Sequence, residues 1–335
     1  MKKYDVIIIG AGIAGVTFGY LMRNKNKKVL IVEKTKISSK DKLCGGLLSD
    51  KSYYLLKDIF NIDNDDITIK NNKKSLMHNN ETLLDLDVDT FSIYRKDLDS
   101  YILKKYLNQG GELIEESQYE NLDLDNNTLE IDNIKYEFDY LIGADGVFSS
   151  LRKEITGKVQ RRNFALELLY EKQDLNLEIF FFNNFKGYGW IIPNNKNAMI
   201  GVGEVSGKTN IEDTLNLLFK KFGVFSTKNI RGAFLPTGDD IYLNYKNVFF
   251  IGDSAGLISP ITGEGIYYAL ASAKILSENL NNKYFKKMKR IIRKIKNELF
   301  YKKYVYNDKI RNYLFARYNN IIFKKIIRLF AKKIL

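Results

Sequence analysis

The chain is poor in several residue types on which common kinds of protein depend. Its 335 residues include one cysteine, one histidine and three prolines. The lone Cys44 excludes an internal disulfide, and no cluster of metal ligands is apparent. His78 stands in a polar stretch, so catalysis by a histidine base is not favoured. No run of about 18 apolar residues occurs, which argues against a membrane-spanning helix. The Met-Lys-Lys start leads into an apolar run without a cleavage site, so we expect no signal peptide and a cytoplasmic protein.

Acidic residues are scarce at one end of the chain only. Residues 281–335 hold 18 Lys and Arg against 2 Asp and Glu, whereas the other 280 residues hold 35 against 38. The overall net charge of +13 therefore belongs to the tail. Apolar residues recur in the tail at helical spacing around Tyr284–Leu299 and again around Ile322–Ile334, which predicts basic amphipathic helices.

Such helices have three interpretations. They can pack on the protein itself with a solvated basic face, or lie on an anionic membrane. In the second case residues 281–335 would give peripheral contact at the inner membrane face. The third interpretation, nucleic-acid binding, is disfavoured because no nucleic-acid-binding module accompanies the charge.

An apolar run followed by closely spaced glycines opens the chain. Val6–Ile9 has the pattern of a strand buried on both faces. Of the glycines that follow, Gly10 permits a sharp turn, Gly12 lets the backbone approach a pyrophosphate, and Gly15 lets a helix pack on the strand. A second apolar strand ends at Glu33, an acid suited to ribose hydroxyls. The alternative is a glycine turn with no ligand, but strand, helix and acid together favour a dinucleotide site.

A second signature lies about 240 residues further along. Gly252-Asp253 follows an apolar strand, and the glycine-rich turn Pro260–Gly265 then leads into a helix. The N-terminus of that helix would carry a partial positive charge. The two signatures in this order predict one FAD molecule held from both ends of the chain.

The remaining pattern predicts an α/β fold: a Rossmann-like FAD-binding domain with an inserted antiparallel-sheet substrate domain and a C-terminal helical tail. Consecutive strands without crossover helices between residues 165 and 205 indicate the antiparallel sheet. Gly201 and Gly203 have the wrong spacing for a second dinucleotide site and are interpreted as part of a strand. The FAD-binding domain comprises residues 1–60, 93–155 and 245–280, the substrate domain residues 61–92 and 156–244, and the tail residues 281–335.

At this point the chain resembles a known family over roughly residues 1–280. The stretch Asp139–Arg152, containing Gly143-Ala144-Asp145-Gly146, is similar to the Asp-Gly fingerprint of p-hydroxybenzoate hydroxylase-like flavoproteins. Lys42-Leu43-Cys44-Gly45-Gly46 and Tyr188-Gly189-Trp190-Ile191-Ile192-Pro193 resemble two segments of the geranylgeranyl reductases, which are FAD-dependent oxidoreductases. In the second segment Ile192 replaces the aromatic residue that is more usual in the reductases. Flavin halogenases carry a related segment, Trp-x-Trp-x-Ile-Pro, and this chain has Tyr188 at its first Trp.

The resemblance implies roles for these residues. Cys44 is the candidate catalytic residue: it would touch the isoalloxazine or gate the cavity, or else be a small packed residue without a chemical role. Tyr188, Trp190 and Pro193 would line the substrate cavity, or else serve only to pack the sheet. Arg95 would lie near the FAD pyrophosphate or adenine, or else be a solvated surface residue.

The glycine motifs and the resemblance together predict contacts with FAD from Gly10, Gly12, Ile13, Ala14, Gly15, Glu33, Lys34, Cys44, Gly45, Gly46, Arg95, Ala144, Asp145, Gly146, Gly252, Asp253, Gly263, Gly265 and Ile266.

Three functions follow from this pattern. The first is reduction of carbon–carbon double bonds in a prenyl lipid by hydride from reduced FAD, with a proton from water or an unidentified acid. Its electron donor would be NAD(P)H or ferredoxin. The second is an NAD(P)H-dependent FAD monooxygenase acting on a small aromatic molecule. The third is a non-catalytic FAD- or lipid-binding protein on a membrane.

Overall fold

The structure is a computed structural model that describes residues 1–62, 67–71, 73–78, 81–85, 89–171, 175–194, 197–205, 210–224, 229–280, 283–317 and 325. Within these residues the strands are β1 (Lys2–Ile9), β2 (Val29–Val32), β3 (Leu47–Ser49), β4 (Thr68–Lys70), β5 (Lys74–His78), β6 (Glu81–Asp85), β7 (Thr90–Ile93), β8 (Glu112–Ile114), β9 (Tyr119–Asp123), β10 (Thr128–Ile131), β11 (Ile134–Gly143), β12 (Arg162–Tyr170), β13 (Leu177–Phe181), β14 (Gly187–Pro193), β15 (Ala198–Glu204), β16 (Arg231–Pro236), β17 (Asn244–Tyr245) and β18 (Val248–Phe250). The α-helices are α1 (Ile13–Arg23), α2 (Asp50–Phe60), α3 (Arg95–Asn108), α4 (Ser150–Thr156), α5 (Ile211–Phe222), α6 (Ile266–Glu278), α7 (Tyr284–Val305) and α8 (Asp308–Ala316).

The first sheet brings the ends of five parallel strands to one edge. Its order is β17-β18-β11-β1-β2-β8, with β10 and β9 attached beside the start of β11. The pairs β18–β11, β11–β1, β1–β2 and β2–β8 are parallel. β1 lacks alternation because both of its faces are covered, and Val6–Ile8 are fully buried. In such sheets ligands bind at the carboxyl ends of the strands. The predicted Rossmann-like fold is confirmed.

The second sheet has one face covered and the other turned toward a cavity. Its order is β16-β12-β15-β14-β13-β5-β6. Helix α5 packs against β12, β14 and β15, and its Leu218 joins a buried cluster with Ile191 and Ile200. Trp190 and Ile192 alternate with Ile191 and therefore point to the opposite face.

The sheet is antiparallel as predicted, with one exception. β5 and β13 pair in parallel, from Leu177 opposite Lys74 to Phe181 opposite His78. Adjacent strands joined by a hairpin must run antiparallel, but β5 and β13 are far apart in the chain, so no tight turn dictates their direction. A third, smaller sheet has the order β3-β7-β4.

The start of the basic tail packs on the protein itself. Tyr284, Met288, Ile291 and Ile295 on α7 are buried in the core of the first sheet. The Tyr284 hydroxyl donates to the Phe250 carbonyl at 3.2 Å. The apolar face of α7 is thus covered by the chain, as in the first interpretation of the tail. Apart from Lys325, the second helix predicted around residues 322–334 lies outside the described residues. Among the described residues, no helix combines the length and apolarity needed to cross a bilayer.

Candidate active site

The glycines of the first turn are required for different reasons. Gly10 has a φ of +106°, and a Cβ on it would lie 2.5 Å from the Ala144 carbonyl oxygen. A Cβ on Gly15 would lie 2.1 Å from the Gly10 carbonyl oxygen. A Cβ on Gly12 would meet no atom within 4 Å. Gly10 and Gly15 are therefore demanded by packing within the protein, whereas Gly12 borders open space at the start of α1.

The N-terminus of α1 faces that space without a side-chain cap. Gly12 is the capping residue, and within the described part of the chain this end of the helix has no side-chain cap hydrogen bond. Ile13 and Ala14, the first residues of the helix, line a cavity. The unpartnered N–H groups and the helix dipole together form a site for an anion such as a phosphate.

The carboxylate of Glu33 is buried and fully engaged. It accepts from the Ala11 backbone N–H at 2.9 Å and from the Thr35 N–H at 3.1 Å and hydroxyl at 2.9 Å, and it pairs with Lys40. Burial would raise the pKa of Glu33, but the charge of Lys40 and these donors outweigh it and hold the pKa below its ordinary value. Lys34 is exposed and lies outside the cavity lining.

The Gly-Asp corner lies against the Cys-Gly-Gly segment. Lys42 Nζ donates to Asp253 Oδ2 at 2.8 Å. Gln160 Nε2 donates to the Asp253 carbonyl at 2.9 Å, and the Gly252 N–H donates to Ser272 Oγ at 3.0 Å. Gly265, which precedes α6, lies close enough that its Cβ would sit 3.4 Å from Asp253 Oδ1. The corner thus joins two parts of the chain about 200 residues apart.

The Asp-Gly fingerprint braces this corner. The buried Arg152 guanidinium donates to the Ser254 carbonyl at 3.2 Å and to Asp240 Oδ1 at 2.6 Å. Asp145 Oδ2 accepts from the Leu151 N–H at 3.2 Å, and burial raises the pKa of Asp145. Gly146 has a φ of +80°, and a Cβ there would meet no atom within 4 Å.

Arg95 is buried rather than solvated. Its Nε donates to Asp99 Oδ1 at 2.9 Å, one turn further along α3. Although burial opposes it, the charge of Asp99 holds the pKa of Arg95 above its ordinary value. Its side chain lines the cavity, so the alternative of a surface arginine is wrong.

One cavity of about 450 Å³ runs from the glycine turn to the C-terminal helices. At one end it is lined by Gly12, Ile13 and Asp253, and at the other by Leu314 and Phe315 of α8. Other predicted residues that line it are Ala14, Cys44, Gly45, Gly46, Arg95, Ala144, Gly146, Tyr188, Trp190, Gly263, Gly265 and Ile266. The predicted residues Gly10, Gly15, Glu33, Asp145 and Gly252 lie outside the lining. Pro193 lies at the end of β14, opposite Ala198, and is outside this lining.

Aromatic and aliphatic side chains form the wall between the two ends. The rings of Tyr188 and Trp190 lie 5.5 Å apart, and the Tyr188 hydroxyl donates to the Thr262 carbonyl. The indole of Trp190 crosses Gly201 on the neighbouring strand, where a Cβ would lie 2.5 Å from the ring. Gly201, interpreted from sequence as an ordinary strand residue, is therefore what makes room for the wall.

The Cys44–Gly46 segment lies against this wall. A Cβ on Gly45 would lie 2.8 Å from Ile192 Cδ1 and 3.2 Å from Trp190 Nε1. Gly46 has a φ of +74°, and its carbonyl accepts from the Ile93 N–H at 2.9 Å. Cys44 itself is half-buried and lines the cavity. The two segments predicted to share a site are thus in contact.

Sequence reasoning missed four polar groups of the site. They are Lys40, which pairs with Glu33; Lys42, which pairs with Asp253; Glu264, which accepts from Ser49 and Ser52; and Glu167, which is buried in β12. Glu167 carries a signal in the sequence, since it is the single acid in the otherwise apolar run of residues 164–169, Phe-Ala-Leu-Glu-Leu-Leu. Among the described residues no group of His, Cys, Asp and Glu is arranged to hold a metal ion.

The geometry fits a dinucleotide cofactor. Open space borders both Gly12 and Gly146, because a Cβ at either position would meet no described atom within 4 Å. The starts of α1 and α6 both lack a side-chain cap and both line the cavity. Two uncapped helix N-termini at one end of a cavity suit a ligand that is anionic along its length.

Comparisons with known proteins agree with this arrangement. The family described as NAD(P)-binding Rossmann-like domain matches residues 8–39. Geranylgeranyl diphosphate reductase of Rhodobacter capsulatus is 26% identical, over 82% of this chain and 74% of the relative. Digeranylgeranylglycerophospholipid reductase of Methanococcus aeolicus is 27% identical, over 82% of this chain and 75% of the relative. A Methanosarcina barkeri protein is 29% identical, over 84% and 76%.

Solved structures show the same fold. A geranylgeranyl bacteriochlorophyll reductase-like protein of Thermoplasma acidophilum superposes with a TM-score of 0.81 at 18% identity, covering 96% of this chain and 92% of that one. A probable FAD-dependent monooxygenase from Pseudomonas aeruginosa superposes with a TM-score of 0.69 at 17% identity, covering 95% and 97%.

Proposed function

Since the chain is a geranylgeranyl reductase-like, FAD-dependent oxidoreductase, we propose that it reduces carbon–carbon double bonds of a prenyl lipid. One observation carries the proposal. A single cavity joins the uncapped helix N-termini to an apolar aromatic wall, so a dinucleotide and a hydrocarbon chain can meet within it.

FAD, when bound, supplies a hydride to the substrate and takes up two electrons from a donor. We propose that the first turn of α1 and Gly12 hold its pyrophosphate, Glu33 its adenosine ribose, and Asp253 its ribityl chain. In the structure Glu33 forms an ion pair with Lys40, and Asp253 forms one with Lys42. Each carboxylate would therefore bind its lysine and the cofactor together, or exchange the lysine for the cofactor. The first sheet and α1 would then form the FAD-binding domain with the boundaries predicted above.

The apolar wall supports a prenyl substrate. Tyr188, Trp190 and Ile192 present a continuous hydrocarbon surface from the Cys44–Gly46 segment, and α8 completes it at the far end. Burying a prenyl chain there would release about 25 cal/mol for each Å² of apolar surface removed from water. The second sheet is therefore the proposed substrate domain.

We also propose that the far end of the cavity contacts an anionic membrane. Phe300, Tyr301, Tyr304 and Tyr313 are exposed large aromatic residues on α7 and α8. Basic side chains alternate with them at Lys303, Lys309 and Arg317. Tyr304 is exposed and also lines the cavity, so the cavity borders this aromatic-basic surface. Aromatic rings at the headgroup level and cations on anionic lipids suit such contact.

The test is turnover under anaerobic conditions. FAD-loaded enzyme, reduced in parallel by dithionite, NADPH, NADH or reduced ferredoxin, is mixed with geranylgeranyl diphosphate or a digeranylgeranylglycerophospholipid. We expect the flavin to reoxidise and mass spectrometry to show product heavier by two hydrogens per reduced bond. Oxygen uptake driven by NADPH and a small aromatic molecule, with no reaction of prenyl lipids, would instead identify a monooxygenase.

A further inference from the structure

Glu167 is a buried acidic residue to which the proposed function assigns no role. It lies in the middle of β12, opposite Gly201 on β15 and Arg231 on β16. Its side chain is almost wholly enclosed, with 2% of the residue exposed, and it lines the cavity. A charged carboxyl group in that position carries a large desolvation cost unless a cation is paired with it, so the neutral form is favoured.

The carboxyl group meets the Cys44–Gly46 segment and the aromatic wall at one point. A Cβ on Gly45 would lie 3.6 Å from Glu167 Oε2 and 3.2 Å from Trp190 Nε1. Glu167 Oε1 is buried and has no hydrogen-bond partner among the described residues. The group is therefore held where the proposed flavin segment adjoins the hydrocarbon surface, and one of its oxygens is uncommitted.

Among the described residues, no unpaired cation faces Glu167 to compensate a negative charge. The charged groups that face Glu167 are Arg231 and Asp41, and these pair with each other at 2.5 Å, so their effects on it largely cancel. Burial consequently raises the pKa of Glu167 to about 7, against the smaller opposing effects of the Trp190 and Cys44 N–H groups. A large share of the molecules thus hold this proton near neutral pH.

The other acidic side chains at this point are less suited to release a proton. The Tyr188 hydroxyl is committed to the Thr262 carbonyl, and burial raises its pKa. Glu264 already accepts hydrogen bonds from the hydroxyls of Ser49 and Ser52, so it is engaged within the protein.

We propose that Glu167 is the general acid that protonates the alkene. This inference rests on the proposed function. As the alkene π bond breaks, one carbon forms a C–H bond with the hydride and the other forms a C–H bond with the proton from Glu167. The alkene is reduced by two electrons, and the remaining carboxylate takes a proton from water before the next turnover.

The test compares two isosteric variants. Glu167→Gln keeps the shape of the side chain but cannot donate the proton. Glu178→Gln is the matched control, because Glu178 also lies on the second sheet and burial also raises its pKa, yet it lies outside the cavity lining. We expect E167Q to bind FAD with an unchanged visible spectrum and unchanged KM for the lipid, while kcat falls about 10²- to 10⁴-fold. E178Q should match wild type.

Two readouts separate proton donation from a structural role. The kcat of wild type should fall as pH rises through about 7, where Glu167 loses its proton. That limb should be absent from the residual activity of E167Q and restored in Glu167→Asp. Independently of turnover, the infrared difference between wild type and E167Q should contain a protonated carboxyl band that disappears over the same pH range.

The outcomes distinguish the two proposals. A wild type that reduces prenyl lipids, with E167Q equally fast and equally pH-dependent, would overturn the role of Glu167 and leave the proposed function standing. A wild type that binds FAD but reduces none of the lipids would overturn both.

Discussion

At the scale of single residues, the glycines of the N-terminal turn differ in what a methyl group would meet. At Gly15 it would meet the backbone of Gly10, which cannot move without opening the turn. At Gly12, where φ is −83°, it would meet nothing in the protein and would project into the space assigned to the pyrophosphate.

Gly12→Ala and Gly15→Ala should therefore have separable effects. We expect Gly15→Ala to lower the free energy of unfolding by about 3 kcal/mol or more, since it overpacks a rigid contact. Gly12→Ala should stay within about 1 kcal/mol of wild type but weaken FAD binding at least tenfold. Urea denaturation of cofactor-free protein measures the first quantity, and flavin fluorescence titration the second. Full FAD affinity in Gly12→Ala would show that the cofactor does not pass over this turn.

At the scale of secondary structure, the aromatic wall depends on a pair of neighbouring strands. Trp190 on β14 faces Gly201 on β15, and its ring also lies over Gly203. β-Strands place such cross-strand residues within about 5 Å, so the indole can lie flat only where the partner has no side chain.

Alanine at the two positions should give a graded result. A Cβ at Gly201 would lie 2.5 Å from the indole, and one at Gly203 would lie 3.3 Å away. We expect Gly201→Ala to cost about 1–3 kcal/mol of stability and to displace the ring, and Gly203→Ala to cost less. Trp190 is the single tryptophan of the chain, so its fluorescence reports directly on the wall. An unchanged emission spectrum in Gly201→Ala would contradict the packing described here.

At the scale of the whole molecule, the basic tail has one side buried against the protein and another side exposed. The buried side of α7 completes the core of the first sheet, and α8 closes the cavity. The aromatic-basic surface around Lys303 and Arg317 stays exposed, and its Tyr304 also lines the cavity. If this surface contacts a membrane as we propose, the cavity lies directly beside that contact.

Reversing the charge of Lys303 and Arg317 tests the proposed contact with a membrane. We expect Lys303→Glu with Arg317→Glu to reduce pelleting with phosphatidylserine-containing liposomes by about tenfold or more, since each cation contributes about 1 kcal/mol near an anionic surface. The matched control is Lys96→Glu with Lys104→Glu, two exposed lysines of α3. Equal loss in both double variants would indicate attraction to net charge alone, and no loss in either would remove the membrane contact.

What the sequence by itself determined about this protein is local. The glycine turn, the acid after β2, the Gly-Asp corner and the amphipathic start of the tail are each readable, because steric needs and periodicity act over a few residues. The FAD-dependent fold followed from two such signals in order. The parallel pairing of β5 with β13 was missed, because no short connection sets it.

Only the tertiary structure decided which groups face one another. Glu167 meets the Cys44–Gly46 segment, and Lys42 meets Asp253, across more than 100 residues in each case. The local sequence around each residue does not specify these long-range contacts, because they depend on how the two sheets and the tail pack together. The charge of a buried acid depends on those neighbours, so its chemistry becomes visible only once the chain is folded.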